Sequence, residues 1–223
     1  MALQLGCFLG MLFFLACVLY TLCNRKYRKY FVLCKMLCST MFLVSAFLMG
    51  ISYGKMKFFF QMLPALLFCY LGDLLLGFHN RTRKKPYFLA GTLAFGVAHV
   101  CFLMMLYTQQ SFGWCEGVSV ILFPTVIALL SKNQSFHFGH YKYMAMLYAI
   151  LVGAFGLKSL SIAIENPVNA NILMAVGGML FLLSDGVIFL ISFWKKRVWA
   201  FHGLNLVTYY LAMSFLAVSI AYR

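Results

Sequence analysis

Acidic residues are almost missing from this chain, with 4 among 223. All charged residues together reach 10%, against roughly 25% in a soluble globular domain. The hydrophobic share is 64% and the mean hydropathy +0.92. That balance excludes a soluble fold and predicts an all-α, polytopic membrane protein. No C-x-x-C pair occurs among the 8 cysteines, all of which precede Glu116. Cys34 and Cys38 are spaced for one helix face, but no His or second pair joins them at metal spacing, so no metal or organic cofactor is implied. The cysteines read as small buried apolar residues, and Cys115, placed in an outer loop, is the one set apart. No basic residue precedes Asn24, so the first apolar segment lacks the charged start of a secretory signal and reads as a retained helix. Soluble linkers, low-complexity tracts and internal repeats are also not visible. The expectation is a single transmembrane domain over 1–223.

What is present is a series of apolar runs near the ~20 residues that a membrane helix needs. Eight spans are predicted, at 5–23, 31–49, 58–78, 86–107, 117–130, 143–162, 170–193 and 200–222. The fifth is the shortest and can begin nearer Phe112. Pro86 suits a first helical turn. Pro64 and Pro124 fall inside spans and predict bends, and Pro167 marks a turn.

Net charge is +14. The basic residues sit at span ends and the loops are poor in aromatics, so membrane topology and anionic headgroups explain them better than nucleic acid. The first, third, fifth and seventh loops hold thirteen Lys and Arg, and the even loops hold Lys55 and Lys57. The positive-inside rule then makes the odd loops cytoplasmic and both termini extracytoplasmic.

Depth follows at about 1.5 Å per residue. Asp73 lies about 8 Å from the inner end of its span, Asp185 about 12 Å and Lys35 about 6 Å, with Asn205 and Tyr209 at about 8–14 Å. His99 falls near the midplane. Five polar residues at similar depth predict one polar cavity open toward the cytoplasmic leaflet. Helical spacing agrees. His202, Asn205 and Tyr209 share a face, as do Lys35, Ser39 and Phe42. Thr92, Phe95, His99 and Phe102 form a stripe, and Gly178, Phe181 and Asp185 align with Ser184 beside them. Gly72, Gly77, Gly91, Gly96, Gly177, Gly178 and Gly186 predict close helix approach.

Each polar residue also has a plainer reading. Asp73 can be a structural partner of Lys35, and Lys35 can instead snorkel to the inner surface. His99 can bond a neighbouring carbonyl, and Tyr209 and Tyr210 can be ordinary bundle aromatics. Lys158 is expected to snorkel outward, with Glu116 and Glu165 solvated at outer loop ends. His137 and His140 are expected at the surface. The two intramembrane aspartates are hardest to dismiss, because a carboxylate within a span is expensive and marks function by default.

Two carboxylates in a partly dry cavity supply one proton donor and one acceptor. Acid-labile C–O bonds suit such a pair, since protonation gives an oxocarbenium ion that water captures. A vinyl ether is such a bond.

The run Leu71-Gly72-Asp73-Leu74-Leu75-Leu76, then Gly91-x3-Phe95-x3-His99, Leu183-Ser184-Asp185 and Tyr209-Tyr210 resembles the YhhN-like family of eight-span membrane proteins, which includes lysoplasmalogenases. The likeness covers nearly the whole chain from the second span on. It departs at Met36, where relatives usually carry proline, and at Ala212-Met213, where they often carry Gln. The resemblance implies hydrolysis of the vinyl ether of a lysophospholipid, with Asp73 and Asp185 matching the family's two intramembrane aspartates. Lys35, Asn205 and Tyr209 would bind headgroup phosphate or position water, with His99, Ser184 and Ser39 in support. The rival expectations are a proton-coupled transporter using the same aspartates, and a non-catalytic lipid-binding protein. The bilayer and a lysophospholipid are the expected partners, with no nucleic acid, and oligomeric state is not legible. The short chain and strong loop bias point to a bacterial inner membrane, or to an internal membrane in a eukaryote.

Overall fold

The computed structural model describes residues 2–223 and is built from eight α-helices. They are α1 (Ala2–Cys23), α2 (Phe31–Ser52), α3 (Met56–Thr82), α4 (Lys85–Tyr107), α5 (Trp114–Leu130), α6 (Lys142–Glu165), α7 (Asn169–Phe193) and α8 (Ala200–Ser219). Seven of these are long and apolar enough to cross a membrane, and α5, at 17 residues, is shorter. The chain is an integral, multi-pass membrane protein. Large side chains such as Phe13, Leu93, Met104 and Ile121 lie on the outer surface of the bundle, where lipid rather than water makes their exposure favourable.

Helix ends follow local chemistry. Asn24 accepts a hydrogen bond from the Lys26 amide at 3.1 Å and starts a short 3₁₀ turn over Arg25–Tyr30 ahead of α2. Arg83, at φ 60°, stops α3 in a left-handed conformation. Pro86 occupies the first turn of α4, where its missing N–H has no helical partner to lose. Helix α5 begins at Trp114, three residues before the sequence-predicted start. Glu116 therefore lies in its first turn and accepts from the Gly113 amide at 2.8 Å. The fifth and seventh loops are joined through backbone: the His137 amide donates to Phe193 O at 2.8 Å and the Lys195 amide to Ser135 O at 2.9 Å.

Helix neighbours repeat between the two halves of the chain, although the sequence shows no repeat. In the first half α1 packs on α2, α2 on α3 and α3 on α4. In the second, α5 packs on α6, α6 on α7 and α7 on α8. The halves interlock in matching fashion, α8 against α2 and α4 against α6. Close approach rests on particular glycines. A Cβ on Gly72 would lie 2.6 Å from the Phe95 ring, and one on Gly178 would lie 2.3 Å from Ser159 Oγ. Gly96 has only ordinary contacts around it and Gly186 has open space, so the expected close approach at those two does not occur. Gly96 faces Tyr148 and Leu151 of α6 at ordinary van der Waals distance, and no neighbouring helix fills the position that Gly186 faces.

Candidate functional site

The site is built from α2, α3, α7 and α8, with α4 and α6 behind. A cavity of about 1420 Å³ runs between them. Its inner wall carries Lys35, Asp73, Ser184, Asp185, Asn205 and Tyr209. Its rim is drawn from all four odd-numbered loops and includes Arg25, Arg28, Lys29, Arg81, Arg83 and His140. The five polar residues expected at similar depth, Lys35, Asp73, Asp185, Asn205 and Tyr209, thus line one cavity. His99 and Ser39 stand behind the wall, fully buried.

Asp73 is buried and encircled by donors. Lys35 Nζ lies 2.9 Å from its Oδ1. Ser39 Oγ and the Tyr209 hydroxyl each donate to its Oδ2 at 2.7 Å. Lys35 also donates to the Asp73 backbone carbonyl at 3.3 Å. Lys35 is 5% exposed, which overturns the snorkelling reading: a carboxylate within reach at the same depth holds the ammonium inside. Tyr210 lies 3.0 Å from both Ser39 Oγ and Lys35 O, so it braces the same cluster from behind.

Asp185 keeps different company. The Tyr148 hydroxyl of α6 donates to its Oδ2 at 2.7 Å, and His99 Nε2 lies 3.7 Å from the same oxygen. His99 Nδ1 is 2.7 Å from Phe95 O. A carbonyl only accepts, so Nδ1 carries the proton and donates, leaving Nε2 without a hydrogen-bond partner. The His99 ring stands on edge against Phe181 at 4.6 Å, and Phe181 meets Tyr209 at 5.4 Å. A chain of ring contacts, His99 to Phe181 to Tyr209, therefore links the surroundings of the two carboxylates.

Asn205 donates to Ser184 Oγ at 2.8 Å and to Ser184 O at 3.0 Å. Both of its N–H bonds are committed to clamping α8 on α7, which leaves its carbonyl oxygen for any ligand. His202 shares the cavity wall with Asn205 and Tyr209, as their spacing on α8 predicts. His137 and His140 are exposed at the rim, and Glu165 is exposed.

A second ionic cluster lies apart from the cavity. Lys158 Nζ is 3.1 Å from Glu116 Oε1, with exposures of 1% and 5% for the side chains. Lys158 also donates to Ser111 O and sits 5.2 Å from the Tyr107 ring. The expectations of an outward-snorkelling Lys158 and a solvated Glu116 are both wrong. Each buries the other's charge, because α5 begins early enough to present Glu116 to α6. Cys115 is likewise buried in the first turn of α5 and not in a loop.

Sequence reasoning missed Tyr148. It lies one and two turns before Val152 and Phe155 on the buried face of α6, and that periodicity was the available signal.

Comparison with curated proteins and with solved structures returns no match. The profile of the YhhN family matches residues 30–220, a stretch that spans α2 to α8 with Lys35, Asp73, Ser184, Asp185, Asn205 and Tyr209 of the cavity, and the chain therefore belongs to the YhhN family.

Proposed function

We propose that the protein is a membrane-embedded hydrolase that cleaves the vinyl ether bond of lysoplasmalogens. One observation carries this reading: two intramembrane carboxylates with unlike partners line a single cavity whose rim is basic. The rim suits the phosphate of a lysophospholipid, and the apolar tail would lie between helices. In the reaction the C=C electrons take a proton at the carbon remote from oxygen. The carbon next to oxygen becomes an oxocarbenium ion, which the carboxylates stabilise. Water adds there and returns a proton to a carboxylate. The resulting hemiacetal collapses to a fatty aldehyde and the glycerophospho-headgroup, for a net uptake of one water. Asp73 and Asp185 are the two catalytic carboxylates in this reading, one exchanging the proton and the other stabilising charge. The eight helices are all read as spans, with both termini extracytoplasmic.

The test is aldehyde release from a lysoplasmalogen by the purified protein in detergent. Release that disappears in Asp73→Asn and Asp185→Asn supports the enzyme, and turnover retained in both variants overturns the choice of residues. A second reading, a proton-coupled transporter using the same aspartates, draws on the matching helix neighbours of the two halves, since parallel repeats are a transporter architecture. It requires no aldehyde and proton-dependent uptake into vesicles.

A further inference from the structure

Asp73 and Asp185 occupy equivalent places in the two interlocked halves. Each lies on the third helix of its half, α3 or α7. Each takes one partner from the preceding helix of its own half, Lys35 of α2 or Tyr148 of α6. Each faces one group from the last helix of the opposite half, Tyr209 of α8 or His99 of α4. Equivalent backbone positions therefore hold chemically different surroundings, and that difference separates their roles.

Around Asp73 every close polar side chain donates: an ammonium on Oδ1 and two hydroxyls on Oδ2. A proton placed there would oppose these donors and strand the buried Lys35. Around Asp185 there is one donor, Tyr148, and one bare acceptor, His99 Nε2. No Lys or Arg lies within ion-pairing distance of Asp185 among the described residues, and its Oδ1 makes no hydrogen bond there. Asp185 itself lines the cavity. The titratable groups facing it are His99 from α4, Tyr148 from α6 and, further off on α3, Cys69.

We infer that Asp185 is the carboxyl that exchanges a proton with the cavity's occupant, that Tyr148 and His99 are its positioning residues, and that Asp73 is a fixed charge neutralised by Lys35. The assignment rests on the hydrolase reading for its substrate: the Asp185 carboxyl gives its O–H proton to the vinyl ether carbon, and its carboxylate recovers one from the attacking water. Tyr148 holds Oδ2 and so turns Oδ1 toward the cavity. His99, with Nδ1–H fixed on Phe95 O, offers Nε2 to the proton between turnovers.

Infrared difference spectra of the purified protein between acidic and alkaline buffers read the proton directly, through the C=O stretch of a carboxylic acid. The expected result is a titrating band that is lost in Asp185→Asn. It persists in the double variant Lys35→Met/Asp73→Asn, which avoids leaving a buried ammonium alone. Tyr148→Phe and His99→Gln should move the midpoint of the band by about one pH unit, which a merely structural role would not do. In the aldehyde assay Asp185→Asn should lose about 10²–10⁴-fold in rate, with partial rescue in Asp185→Glu. A band that survives Asp185→Asn and disappears with Asp73, or no titrating band in the unmodified protein, overturns the assignment. A band that follows Asp185 in a protein releasing no aldehyde upholds it while removing the hydrolase reading.

Discussion

Lys35 and Asp73 approach to 2.9 Å with both side chains buried, and they bring α2 and α3 together at the wall of the cavity. Removing one member of such a pair leaves the other charged, unpaired and dehydrated, at a cost of about 3–5 kcal/mol. Lys35→Met should therefore unfold at markedly lower denaturant in detergent. Lys35→Met/Asp73→Asn should regain most of that stability, since no charge is left alone, yet remain inactive toward lysoplasmalogen. If the double variant is no more stable than the single one, the pair is not what the Lys35 replacement damaged.

Gly72 should tolerate no side chain. A methyl group there would meet the Phe95 ring at 2.6 Å, and Phe95 stands edge-on to Tyr209 at 5.7 Å. Overpacking of this kind costs about 1–3 kcal/mol, and here the displaced ring pushes on the hydroxyl that holds Asp73. Gly72→Ala should lower both the unfolding midpoint and activity. Gly186→Ala, with nothing near its added methyl, is the matched control and should change neither. Equal effects from both would remove the packing explanation.

The Glu116–Lys158 pair ties α5 to α6 away from the cavity. Glu116→Gln should destabilise the protein by about 3 kcal/mol. Turnover per folded molecule should stay unchanged, because no member of this cluster lines the cavity. A fall in turnover at full folding would give the cluster a part in the reaction.

Topology is open to a direct check. A reporter fused after Arg223 is expected to read extracytoplasmic, and one inserted beside Arg83 in the third loop cytoplasmic. Two reporters on the same side would rule out the arrangement with both termini outside.

Much of the site was legible because charge inside an apolar span is rare. Lys35, Asp73 and Asp185 stood out against their surroundings, and helical spacing aligned His202, Asn205 and Tyr209. Tyr148 did not stand out. It is one of 13 tyrosines, and its hydroxyl becomes informative only once α6 is seen behind Asp185. Glu116 and Lys158 were misread for a geometric reason. Moving the start of α5 from Gly117 to Trp114 carries Glu116 from a loop onto a helix face, and the signal for that start, Gly113 as N-cap with Glu116 three residues on, was overlooked. The bond between the fifth and seventh loops runs through backbone atoms, which side-chain patterns do not report. The matched packing of the halves survives without sequence likeness because packing needs only compatible surfaces.

The short fifth helix has a consequence for the surrounding lipid. Its 17 residues reach about 25 Å, less than the ~30 Å of an average hydrocarbon layer. Tilting would only shorten its reach along the bilayer normal, so it cannot make up the difference. On the eight-span reading, acyl chains along that flank compress or disorder, while the 25-residue α7 meets a full-thickness bilayer. On that reading the protein draws lipids of unequal length to its two sides.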